Sequence, residues 1–184
     1  MSDAPQLRRT DKLMPEARAR EILLRAYSGR LATVGSDGWP YIIPLLHVCI
    51  DDEIWVHNTR VRGHLRANVE HDERVCFEVD VPGEVFAYGR FECDTSVAYQ
   101  SVVAFGRIRV VEEEARKAAF FEALMRKYGE PTDGRPKGFY PRLSAVTVYA
   151  IAVDRLTGKE TPLPSPAERW PAADHTKSPG AIAP

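Results

Sequence analysis

At 184 residues the chain is long enough for one domain with its own core, and 44% hydrophobic with 28% charged residues excludes a wholly disordered chain. Twenty-five Lys and Arg against 26 Asp and Glu give a formal net charge of −1, which excludes a global bias toward nucleic acid or membrane, so any basic site is local. Cys49, Cys76 and Cys93 are an odd number without paired metal-ligand spacing, so reduced core thiols are expected rather than a disulfide framework.

Residues 1–13 read as a loose polar arm, without the apolar run of a signal peptide. No apolar stretch reaches membrane-spanning length, and a cytoplasmic protein is expected. A helix of about four turns is predicted from Pro15 to near Ser28-Gly29, with Ile22, Leu23 and Ala26 as its apolar stripe. Arg30 to Val34 and Trp39 to Leu46 read as strands of a hairpin around Ser36-Asp37-Gly38. Pro40 and Pro44 cannot donate to a ladder, which suits an edge or a bulge. His47 to Ile50 and Glu53 to His57 flank Asp51-Asp52 as a second hairpin. A short helix is expected to start near Val61 or Arg62, followed by a strand from Arg74 to Val79.

Val81 to Glu84 reads as a Pro-Gly turn, and Val85 to Cys93 as a short strand or an ordered loop. Tyr99 to Val111 is the longest β-type run, with Gly106 marking a bulge or a close backbone approach. Glu112 to Tyr128 is acidic first and basic last, a helix packing through Ala118, Phe121, Leu124 and Met125. After a Gly/Pro/Lys loop comes a final strand from Ala145 to Val153, ending at Asp154-Arg155. From Glu160 the composition shifts to Pro, Ser and Ala, a mobile tail with Trp170 as its only large apolar anchor. Six to seven strands linked by hairpins make a mainly β, antiparallel barrel or sandwich with flanking helices.

The chemistry concentrates between Ile54 and Asp80. A strand ends in His57, Asn58 and Thr59, whose polar tips can all bond an anion. Arg60, Arg62 and His64 follow at the start of the short helix, where free N–H groups and the positive dipole end favour phosphate. The bland alternatives are a surface histidine at His57, a turn and cap at Asn58-Thr59, and a solvated face in which Arg60, Arg62 and Arg66 pair with Glu70 and Asp72. For Arg66 the solvated face is the preferred reading. His57, His64 and His71 recur every seven residues, but the change from strand to helix breaks a shared face, so no metal site is expected. No nucleotide-hydrolase, esterase or zinc-protease motif occurs.

The succession GRLATVGSDGWPYIIPL, IWVHNTRVRGHLRANVEHDERVCFEVD, YQSVVAFGRIRVVEE and YAIAVDRLTGK resembles the pyridoxamine 5′-phosphate oxidase-like family of FMN-binding split barrels, and within it the nitroimidazole-resistance subgroup. The likeness runs in order from Ala17 to Lys159. It implies a split β-barrel of six to seven antiparallel strands over residues 14–159, between the arm and a tail at 160–184. It also implies a homodimer with FMN in clefts at the subunit interface, without nucleic-acid or membrane partners.

Carried over residue by residue, Ile42, Ile43, Pro44 and Leu45 would lie along the isoalloxazine. His57, Asn58 and Thr59 would face the ribityl chain and phosphate, and Arg62 and His64 would help neutralise the phosphate. Tyr99, Gln100 and Ser101 match a segment that in relatives reaches the flavin from the other subunit. Where the family often has Arg followed by Lys at the turn into the helix, this chain has Gly63 and His64, with Arg62 one position early. The resemblance implies an oxidoreductase passing electrons from NAD(P)H to a small organic substrate, with nitro-compound reduction in view. Its alternative is a non-catalytic protein of the same fold that holds flavin, haem or deazaflavin.

Overall fold

The computed structural model describes residues 7–89, 91–129, 134 and 136–169. Seven antiparallel strands form one curled sheet, a split barrel: β1 Gly29–Val34, β2 Pro40–Leu45, β3 Val48–Ile50, β4 Glu53–Thr59, β5 Arg74–Ala87, β6 Thr95–Val111 and β7 Val146–Thr161. Their order across the sheet is β2-β1-β5-β6-β7-β4-β3, which leaves β2 and β3 at the edges. The two prolines expected at an edge, Pro40 and Pro44, lie in edge strand β2. Three helices, α1 Glu16–Arg25, α2 His64–His71 and α3 Glu114–Tyr128, flank the sheet.

Strand alternation sorts the side chains into two cores. Ile54 and Val56 of β4 face inward with Phe77, Ile108 and Tyr149, where Ile22 and Leu23 of α1 join them. Trp55, between them, faces outward with Val148 and Ala150, under Phe120 and Leu124 of α3. The inner core therefore anchors α1, while the outer one anchors α3.

Several boundaries differ from the sequence expectations. Helix α1 is ten residues, about three turns rather than four. It ends where the Tyr27 carbonyl accepts from the Tyr128 hydroxyl at 2.7 Å, an exit held by α3 rather than by Gly29. Strand β5 runs straight through Val81 to Glu84, where a turn was expected. A register shift between Pro82 and Val85 absorbs the proline's missing N–H. Strand β7 continues through Asp154 and Arg155 to Thr161, because both charges sit on the exposed face, with Arg155 4.2 Å above the Phe105 ring. The bulge expected at Gly106 is present as a register shift, and a Cβ there would collide with the Ala152 carbonyl.

Asp51 and Asp52 both adopt positive φ, 52° and 62°, the conformation that a two-residue hairpin demands. Of the three thiols expected in the core, Cys49 and Cys76 are half-buried and Cys93 is exposed. Trp170 and the rest of the tail beyond Arg169 lie outside the described residues. No described helix is long and apolar enough to cross a membrane.

Candidate functional site

Between β4 and α2 the chain bends at Arg60 and Val61 before the helix begins. The Arg60 N–H donates to the Ala145 carbonyl at 3.0 Å, which ties the bend to the entry of β7, and α2 starts at His64 instead of Val61 or Arg62. Gly63 precedes the helix in an extended conformation, φ −109° and ψ −166°, and no side chain caps the helix there. The first-turn N–H groups have no side-chain partner at the cap.

Leu65 and Asn68 fix α2 to the barrel, since both are buried and Asn68 donates to Thr33 of β1 at 2.9 Å. The helix is left with two working flanks. On one, His64 stacks on Tyr41 of β2, with ring centroids 5.2 Å apart and planes 19° apart. On the other, Arg66 and Glu70 border a cavity of about 440 Å³.

Arg60, Arg62, Arg66 and Lys117 line this cavity together with Glu70, Glu112 and Glu114, and Ser144 and Thr147 sit in its wall. Arg62 Nε donates to one Glu70 oxygen at 2.9 Å, and Arg66 Nε to the other at 2.7 Å. These bonds, Arg66's first, hold the Glu70 carboxyl below its usual range. Arg60 reaches only the Ser144 carbonyl, at 3.4 Å. Neither Arg60 nor Lys117 has a carboxylate within ion-pairing distance among the described residues.

The structure separates some residues that the sequence groups together. His57 and Asn58 point to opposite faces of β4, as neighbours on a strand must. The His57 ring lies 5.4 Å from both Phe120 and Phe121 of α3, with Nδ1 buried and unpartnered, and burial pushes its pKa down. Asn58 faces inward and accepts from the Tyr149 hydroxyl at 3.3 Å, while Thr59 is exposed. In β2, Ile43 and Leu45 pack on the inner core, while Ile42 and Pro44 look outward, Ile42 being 63% exposed. Arg62 turns to the cavity flank of α2 and His64 to the Tyr41 flank, so the two do not converge.

Tyr99, Gln100 and Ser101 lie on β6 roughly 35 Å along the strand from Val110, which borders the cavity. Lys12 sits 5.5 Å over the Tyr99 ring, and Gln100 donates to Glu160 at 3.1 Å. Within one chain these three do not reach the cavity. Lys117, Ser144 and Thr147 are wall residues that the sequence reading missed. They come from α3, from the 3-10 turn Leu143–Ala145 and from the start of β7, and nothing in their local spacing marks them. Among the described residues, no three His, Cys, Asp or Glu side chains converge to hold a metal ion.

A model of the family described as pyridoxamine 5′-phosphate oxidase matches residues 15–160. The chain belongs to that family. Among curated proteins, none matches the sequence. Solved structures share the pyridoxamine 5′-phosphate oxidase fold. The flavocytochrome Anf3 from Azotobacter vinelandii is 18% identical with a TM-score of 0.73, over 100% of this chain and 94% of its own. The FAD and heme binding protein from Mycobacterium smegmatis is 20% identical with a TM-score of 0.68, over 94% of each chain. A protein provisionally assigned to 5-nitroimidazole antibiotic resistance, from Bacteroides thetaiotaomicron, is 21% identical with a TM-score of 0.67, over 80% of this chain and 85% of its own. At these identities the likeness speaks for the fold.

Proposed function

We propose that this chain is a cytoplasmic, homodimeric flavoprotein that binds FMN beside the start of α2 and passes electrons from NAD(P)H to a small organic substrate, with nitro compounds the first class to screen. The observation that carries the reading is the cavity on the flank of α2, where Arg60, Arg62 and Arg66 converge with Lys117 of α3. Forked guanidiniums, an ammonium and the hydroxyls of Ser144 and Thr147 are a donor set that suits a phosphate monoester, so the residues present fit the phosphate end of a flavin.

In this reading Arg60, Arg62, Arg66 and Lys117 bind and orient the phosphate. The outward side chains Ile42 and Pro44 of the β2 edge offer an apolar surface for the ring. These apolar groups cover one face of a planar ring and exclude water from it. Bound there, a flavin supplies the hydride chemistry. Support for the homodimer comes from the outer sheet face, where register aligns Ile42, Ala32, Cys76 and Phe105 in one row across four strands. Ile42 and Phe105 are 63% and 39% exposed, an apolar row that a second copy would cover. A flavocytochrome and an FAD and heme binding protein among the relatives make flavins the first ligands to test.

An absorbance spectrum of the purified protein with its native mass, before and after adding FMN, tests the reading. Stoichiometric flavin bands in a dimer, bleached by NAD(P)H, are expected. A colourless protein that retains no FMN, or one with a Soret band alone, would overturn it. Flavin bands that NAD(P)H never bleaches would leave the binding and remove the oxidoreductase.

A further inference from the structure

Glu70 borders the cavity with each of its carboxylate oxygens held by a different guanidinium. We infer that Glu70 is a resident counter-ion that makes the cavity selective for dianions, because a phosphate must displace its carboxylate from Arg62 and Arg66. The inference rests on the reading of the cavity as the phosphate end of a flavin site, and it adds which ligands that end accepts.

Charge balance carries the argument. Four basic side chains against three carboxylates leave the cavity with one net positive charge while Glu70 is in place. With Glu70 turned out to solvent the cavity holds two, the charge of a phosphate dianion. A monoanion that replaces Glu70 exchanges one carboxylate-like charge for another and gains nothing. A dianion keeps both guanidiniums satisfied and brings a second charge to Arg60 and Lys117, which have no carboxylate in ion-pairing distance among the described residues.

Displacement is also cheap. The Glu70 side chain is 40% exposed and lies four residues from Arg66 on a helix surface, where an ion pair contributes little net stability. The same pair keeps both guanidiniums ordered in the absence of ligand, so the side-chain entropy of arranging them is spent before the phosphate arrives. Glu112 and Glu114 remain at the α3 end of the cavity and oppose any charge beyond the second.

The test is a fluorescence titration of FMN and riboflavin into wild type, Glu70→Gln and Glu70→Ala, with thermal unfolding confirming that each variant is folded. Both variants should bind FMN about threefold to fivefold more tightly, the scale of two exposed ion pairs, with riboflavin unchanged. Acetate, a monoanion, should compete with FMN in the variants and not in wild type. FMN affinity that is unchanged or weaker in both variants would overturn the inference and make Glu70 a positioning residue for the arginines, leaving the flavin reading standing. If neither flavin binds any of the three proteins, the flavin reading and the inference fall together.

Discussion

Asn68 donates its side-chain amide to the Thr33 hydroxyl across 2.9 Å, and both residues are buried, so a single polar contact ties α2 to the hairpin that carries β2. It sets where the helix N-terminus sits relative to Tyr41.

Asn68→Ala leaves the Thr33 hydroxyl without its donor and should cost on the order of 1–3 kcal/mol. At roughly 2–4 °C per kcal/mol for a chain of this size, thermal unfolding resolves the loss. The double variant Thr33→Val with Asn68→Leu, which removes both polar partners, should lose less than the two single changes added together. Additive losses would mean that the contact contributes no coupling.

His47 makes stability depend on acid. It is fully buried, its Nε2 donates to the Leu23 carbonyl at 2.8 Å, and Lys127 Nζ stands 3.3 Å from the same nitrogen. Burial first, and Lys127 besides, push its pKa down to about 4 from 6.5, against the Leu23 hydrogen bond. A folded value below the unfolded one means that the unfolded chain takes up the proton first. The contribution is therefore complete above about pH 6.5 and drains away as pH falls toward 4, on the order of 3 kcal/mol in all. Urea midpoints from pH 7 to 4.5 should fall more steeply for wild type than for His47→Asn. Parallel slopes would show that His47 is not the titrating group.

Phe120 and Phe121 look equivalent in the sequence, and only Phe121 falls on the expected packing stripe of α3. In the structure Phe120 is fully buried against the outer sheet face, while Phe121 is half-buried between His57 and Tyr140. Phe120→Ala should cost about 3–5 kcal/mol by chemical denaturation, and Phe121→Ala distinctly less. Equal losses would place α3 in a different rotation.

The same contrast shows where the sequence is readable. The strand cores of β1, β2, β4, β6 and β7 follow from β-branched runs and turn residues, because those signals are local. The ends of β5 and β7 do not, since Pro82-Gly83 and Asp154-Arg155 read as breaks. They are carried through by pairing with β6, the next strand for β5 and one roughly fifty positions back for β7. The rotation of α3 depends on which face meets Trp55, again a tertiary fact. At the site, the Arg60 to Arg66 cluster is visible in the chain and a solvated pairing is the preferred reading for Arg66 alone, whereas Arg62, expected at a phosphate, also pairs with Glu70. Lys117, Ser144 and Thr147 meet the cluster only after folding. The grouping of His57 with Asn58 overlooked strand alternation, which was available from the sequence all along.

Strand β4, which ends in His57, Asn58 and Thr59, pairs with only the three-residue β3 and with β7, whose partners for it run from Val146 to Ile151. The site is therefore unfinished during synthesis until nearly ninety further residues have left the ribosome. Until then β4 presents an open edge and its apolar residues Ile54, Trp55 and Val56 remain uncovered on at least one side. The arginines that follow it work as sentinels in that interval, because a charged flank is what discourages an unpaired apolar strand from joining a neighbouring nascent chain.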